Sequence, residues 1–141
     1  MIDDSQRVYV DTSALVALAF SEEESAAFAA VIVANGCRIG APTLVEVHNV
    51  LVGKLGEASG LAAMEMLTTT LDIEVVPFDM EHYLLAADAF RRYGKGRDHP
   101  ARLNFGDCLA YAVARRAAAP LLYKGADFGH TDLAFAPGSD P

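Results

Sequence analysis

The 141 residues hold no uninterrupted apolar run near the roughly 20 residues needed to cross a bilayer. Ser, Glu, Gly or Asn breaks each of the longer apolar stretches, so no membrane span is expected. Cysteine is scarce. Cys37 and Cys108 lack metal-site spacing and lie in apolar surroundings, which predicts reduced, buried thiols without chemistry. The first residues, Met1-Ile2-Asp3-Asp4-Ser5, lack the basic segment and apolar stretch of a secretory signal, so a cytoplasmic location is expected. Positive charge is also in short supply: 11 Lys and Arg stand against 19 Asp and Glu, a net charge of -8. That balance argues against broad electrostatic binding to a polyanion. The cations present are concentrated, however. Arg91, Arg92, Lys95, Arg97 and Arg102 fall within a dozen residues, forming a candidate phosphate-contacting stretch, and the surplus carboxylates are available to a cation.

What is there suits a globular protein: 52% hydrophobic and 21% charged residues, with no long low-complexity segment. The length predicts one domain over 1–141, with a short flexible N-terminus at about 1–5 and a tail at about 137–141. Strand patterns occur at Arg7 to Val10, Cys37 to Gly40, Ile73 to Pro77 and Leu121 to Lys124, with Phe135 in a possible final short strand. Between them lie helical patterns over Ala14 to Phe20, from a Ser21/Glu24 capping box to Asn35-Gly36, from Pro42 to Gly56, from Glu57 to about Thr70, over Glu81 to Tyr93, and from Phe105 to about Ala118. Gly94 to Pro100 reads as loop. Strands alternating with helices predict an α/β fold, a three-layer α/β/α sandwich around a mostly parallel sheet. Sites in such sheets form beyond the carboxyl ends of the strands.

That rule sorts the acids. Asp11 follows the first strand and Asp127 the last, while Glu46 and Asp107 lie in the first turns of helices that start at the same edge. Each has a purely structural alternative. Asp11 could cap the first helix, Thr43 and Glu46 have capping-box spacing, Asn104 and Asp107 have a looser form of it, and Asp127 could be a loop acid. Together they are harder to dismiss, because two carboxylates about 4 Å apart repel by roughly 4 kcal/mol at an effective dielectric near 20. A bound cation removes that objection. Oxygen ligands without nearby His or Cys suit Mg2+ or Mn2+, one ion or two, and point to phosphodiester hydrolysis by a metal-activated water. In this reading Asp11 and Asp107 bind most directly, and Glu46 or Asp127 completes the shell, orients water or helps hold a second ion. Thr12, Ser13 and Asn104 are caps first and supporting groups second, with Thr131 and Asp132 as further supporting candidates. The four histidines share no spacing, and only His99, in the basic loop, is a candidate for substrate contact.

These residues resemble a known family. Val8-Tyr9-Val10-Asp11-Thr12-Ser13-Ala14-Leu15, Glu46 in a helix, and Asn104-Phe105-Gly106-Asp107-Cys108-Leu109-Ala110-Tyr111-Ala112 are similar to the PIN domain. Tyr123-Lys124-Gly125-Ala126-Asp127-Phe128 through Thr131-Asp132 sharpens the likeness to the VapC toxins of bacterial toxin–antitoxin pairs. The resemblance implies an acidic quartet at Asp11, Glu46, Asp107 and Asp127, Mg2+ or Mn2+ as cofactor and RNA as substrate. It also implies a VapB-type antitoxin whose tail occupies the acidic groove, often presenting an arginine. Many PIN domains place an acid where this chain has Gly125, which leaves Asp127 or Asp132, after Thr131, as the fourth acid, with Asp127 ranked first. The helices from Glu22 to Thr70 carry more apolar surface than a small sheet needs, which suits a homodimer, and the resemblance points the same way.

Two other functions compete. A phosphatase of the haloacid dehalogenase type also begins with Asp after a first strand, but needs a second Asp where Ser13 stands. A silent PIN-like binding module would hold an antitoxin peptide without chemistry, and the four retained acids count against it.

Overall fold

The first strand, β1 (Val8–Val10), is buried along its whole length, as expected of a run of β-branched and aromatic residues in a sheet covered on both faces. The computed structural model describes residues 7–134 and 136. From β1 the chain passes through α1 (Thr12–Ala19) and α2 (Ser25–Asn35) to β2 (Cys37–Gly40), then through α3 (Ala41–Leu55) and α4 (Glu57–Thr70) to β3 (Glu74–Val76). It continues through α5 (Met80–Tyr93) and α6 (Phe105–Ala117) to β4 (Leu121–Leu122), and a 3-10 turn spans Asp127–His130. All strand pairs are parallel, and the order across the sheet is β3-β2-β1-β4.

That order gives the layering. The chain steps from β1 to β2 to β3 in one direction, then returns past β1 to place β4 on its other side. Crossovers of constant hand put the helices of the outward steps on one face and those of the return step on the other. One core accordingly gathers Val8, Val10, Cys37, Ile39 and Leu122 of the sheet with Leu15, Phe28, Ile32, Val47, Leu51 and Leu67 of α1 to α4. The second gathers Tyr9, Leu121 and Tyr123 with Ala89, Tyr93, Cys108, Tyr111 and Val113 of α5 and α6. The expected three-layer architecture is present. Cys37 and Cys108 are free and buried, and burial pushes their thiols up to about 12 and about 11, which leaves them unreactive. Edge strand β3 shows the expected protection by charge: Glu74 is exposed and pairs with Arg7 and Arg38.

The local expectations fail in three places. Ser21 does not start a helix with Glu24. It sits at φ 50° in the junction, and α2 begins at Ser25 without a side-chain cap. Thr43 and Glu46 form no capping box, because Pro42 lets α3 start three residues earlier, with Gly40 at the cap. The last strand stops at Leu122, two residues short of the expected Lys124. Phe135 and the segments 1–5 and 137–141 lie outside the described residues. Among the described residues no helix is long and apolar enough to cross a membrane.

Candidate functional site

The reversal of strand order between β1 and β4 is the topological switch point, where a parallel sheet opens a crevice at its carboxyl edge. Asp11 stands there. Its N–H donates to Leu122 O at 3.0 Å, so β4 fixes its backbone. Its side chain caps α1, Oδ2 accepting from Ser13 N at 3.1 Å and Ser13 Oγ at 2.7 Å. Ser13 Oγ in turn accepts from Lys124 N at 2.9 Å and locks the end of β4 to the start of α1. Cap and site readings therefore coexist in Asp11, because capping uses only one oxygen. Oδ1 is buried and has no hydrogen-bond partner. Burial, followed by the charge of Glu46, raises the acid against the Ser13 bonds that lower it.

Glu46 reaches the same edge from α3. Thr12 Oγ1 donates to Glu46 Oε1, and the carboxylate lies against Gly106 in the first turn of α6. A Cβ on Gly106 would come within 2.7 Å of the Glu46 carboxyl carbon, so only glycine admits this approach. Asp107 is the next residue. It forms a full capping box: Asn104 Oδ1 accepts from Asp107 N at 2.8 Å, and Asp107 Oδ2 accepts from Asn104 N at 3.0 Å. Despite that stabilising bond, desolvation and the charges of Asp11, Asp127 and Glu46 push Asp107 from 3.8 up to about 7. The four candidate acids thus share one electrostatic neighbourhood, with Asp127 entering from the exposed 3-10 turn.

Asp132 goes elsewhere. Its Oδ1 accepts from Tyr111 OH at 2.6 Å, and its Oδ2 lies 3.7 Å from Arg92 and 3.6 Å from Arg115. Thr131 closes the 3-10 turn that begins at Asp127, Oγ1 donating to Phe128 O at 2.7 Å. The basic stretch also divides. Arg91 and Arg92 bind Asp88 at 2.7 and 3.3 Å, Arg92 stacks on Tyr93, and Arg97 lies over Phe90. Lys95 and Arg102, by contrast, line a cavity of about 300 Å³ with Asn104 and Asp127. The sequence points to no role for Gly106, and Thr12 takes its second expected role, bonding a carboxylate rather than only capping. A glycine inside a helical first turn was the available signal, because it weakens the helix unless something must come close.

Among the described residues no three His, Cys, Asp or Glu side chains stand close enough to enclose an ion by themselves. The donor chemistry still fits a hard cation that keeps several waters: oxygen ligands only, one of them buried without a partner, and a carboxyl group raised by burial and by its acidic neighbours.

The chain is similar to known proteins in sequence and in fold. The PIN domain model matches residues 8–133. Ribonuclease VapC36 of Mycobacterium tuberculosis is 42% identical over 128 residues, covering 89% of this chain and 91% of that protein. Ribonuclease VapC30 of the same organism is 36% identical over 126 residues, with 89% and 95% covered. Among solved structures, Mycobacterium tuberculosis VapC20, described as a Sarcin-Ricin loop cleaving toxin, superposes with TM-score 0.72 at 16% identity, covering 92% of this chain and 98% of that one. VapBC2 from Rickettsia felis, bound to a DNA fragment from the promoter, gives TM-score 0.74 at 11% identity, with 92% and 97% covered. At those identities the structures speak for the fold, and the curated relatives carry the rest. With the family model spanning most of its length and relatives at 36 to 42% identity, the chain belongs to the PIN-domain family, among the VapC ribonucleases.

Proposed function

We propose that this protein hydrolyses RNA phosphodiester bonds as the toxin of a toxin–antitoxin pair, with Mg2+ or Mn2+ held by Asp11, Glu46, Asp107 and Asp127. The observation that carries the reading is Asp107, raised to about 7 by burial and by three other carboxylates although it accepts a backbone N–H. A protein gains nothing structural from crowding acids in this way; a cation makes the arrangement favourable. The relatives' names, all ribonucleases, support RNA as the substrate, and the solved VapBC complex supports a VapB-type antitoxin as partner. Val33, Leu61 and Met66 are exposed on α2 and α4, which supports a homodimer. An RNA substrate is in keeping with a cytoplasmic location.

A divalent ion here supplies charge neutralisation on the non-bridging phosphate oxygens and lowers the pKa of a bound water. The residues divide the remaining tasks. Asp11 offers its unpartnered Oδ1, while Ser13 holds the other oxygen and prevents the carboxylate from turning. Asp107 offers the oxygen that Asn104 leaves unbound. Glu46, fixed by Thr12 over Gly106, is placed to orient the attacking water, and Asp127 closes the set from its exposed turn.

Asp107→Asn tests the site. The amide keeps its oxygen for Asn104 N–H, so the variant is expected to fold, to lose Mg2+-dependent RNA cleavage and growth inhibition, and to bind Mn2+ more weakly in calorimetry. A well-folded variant as active as the parent overturns the assignment.

A further inference from the structure

We infer that loop 94–103 is the subsite for the RNA nucleotide flanking the cleaved bond, with Lys95 and Arg102 holding its phosphate and the hollow beside Asp98 and His99 seating its base. The inference rests on the ribonuclease reading and adds to it a place for the substrate.

The loop is built at its base and irregular at its tip. Lys95 N donates to Leu103 O at 2.7 Å and Leu103 N to Tyr93 O at 2.8 Å, and Gly94 pairs with Leu103 in a single bridge. Ala101 and Leu103 are fully buried. Arg102 stands between these two anchors at φ 51°, a conformation a non-glycine residue avoids unless its surroundings impose it. The result is a held backbone that carries Lys95 beside Leu103 and Arg102 two residues before Asn104, the cap of the helix that carries Asp107.

Their chemistry and their freedom both suit a phosphate. A guanidinium fork and an ammonium are the usual partners of phosphate oxygens. Neither Lys95 nor Arg102 forms an ion pair among the described residues, whereas Arg91, Arg92, Arg115 and Arg116 all pair with acids. Their 300 Å³ cavity has Asn104 and Asp127 as its other walls, so a phosphodiester in it is continuous with one at the acids.

Arg102 also lines a second hollow, of about 570 Å³, with Gly96, Asp98, His99 and Pro100. Here the groups differ. His99 Nδ1 accepts from Ala101 N at 3.1 Å, which leaves the neutral ring's proton on Nε2 as a donor. Asp98 brings carboxylate acceptors and repels phosphate. Unstacked bases are read through just such donor and acceptor groups. Charge thus orients the nucleotide, phosphate toward Lys95 and Arg102 and base toward Asp98 and His99.

The test uses a fluorescein-labelled single-stranded RNA 12-mer of randomised sequence, with anisotropy measured on the Asp107→Asn protein from 50 to 200 mM KCl. Adding Lys95→Gln and Arg102→Gln is expected to weaken binding at least 10-fold and to lower the slope of log affinity against log salt by about 1.4, two contacts at about 0.7 each. His99→Ala is expected to weaken binding about 3-fold with the slope unchanged. Arg102→Gly removes the guanidinium and suits φ 51°, so its loss of affinity is not a loss of fold. In the otherwise unaltered protein, Lys95→Gln with Arg102→Gln raises KM and leaves kcat within about 2-fold. Unchanged affinity and salt slope overturn the subsite even if the parent protein cleaves RNA. Conversely, a parent protein that cleaves no RNA but shows these binding losses keeps the subsite and loses the ribonuclease reading.

Discussion

Two groups of acids lie on this molecule and have opposite electrostatic fates. On the outer side of α5 and α6, Asp88 and Asp132 are each met by arginines: Asp88 by Arg91 and Arg92, Asp132 by Arg92 and Arg115. The side-chain bond from Arg91 holds Asp88 below its ordinary value. At the carboxyl edge of the sheet, Asp11 and Asp107 are raised instead, by burial and by other carboxylates. Arginines of this chain neutralise the outer group, whereas Asp11 and Asp107 form no ion pair among the described residues.

Exchanging carboxylates for amides should separate the two groups. Asp107→Asn is expected to lower cleavage by more than about 100-fold, beyond the 10- to 100-fold usual for an outer-sphere metal partner, as measured by initial rates on a labelled RNA. The same residue controls a pH effect. Its pKa is higher in the folded than in the unfolded protein, so the folded state holds the extra proton between about pH 4 and about pH 7. Stability from this group is full below pH 4 and lost as pH rises through 7. Metal-free protein should therefore melt at progressively lower temperature across that window in calorimetry, with the decline much reduced in Asp107→Asn and at saturating Mg2+.

Gly106→Ala should gain about 0.5–1 kcal/mol of helix propensity and still cost about 10-fold in cleavage, because the new methyl displaces Glu46 from Thr12. Asp132→Asn sharpens the comparison from the other side. It weakens the bond from Tyr111 and both arginine contacts, and should cost about 1–3 kcal/mol in urea unfolding with the activity of the folded fraction unchanged. Loss of activity out of proportion to stability would move Asp132 to the site group. Arg91→Ala is the smallest change: its pair with Asp88 is exposed, so at most about 0.5 kcal/mol and no effect on RNA affinity are expected.

The fold was largely readable because its signals are local and repeated. β-branched triplets, the Asn104 cap and the glycines after α2 and α3 fall where the chain turns. The gathering of Asp11, Glu46, Asp107 and Asp127 was readable for the same reason, since strand ends and helix starts of a parallel sheet lie at one edge. Pairing between elements was not readable. Asp88 with Arg91 and Arg92 has the i,i+3 and i,i+4 spacing of partners on one helix, but nothing near Asp132 in sequence shows that Tyr111, Arg92 and Arg115 will claim it. That outcome depends on contacts between residues far apart in the chain. The failed capping boxes teach a related point: Ser21/Glu24 and Thr43/Glu46 have the right spacing, but proline geometry and the α1–α2 junction placed the helix starts elsewhere.

The hydrogen bond from Lys124 N to Ser13 Oγ joins positions 111 residues apart. Synthesis runs from one partner to the other, so a growing polypeptide that has reached only the end of α6 has made Asp11, Glu46 and Asp107 but neither the strand that fixes Asp11 nor Asp127. The order of translation therefore completes the acidic edge only after β4 and the 3-10 turn have been made.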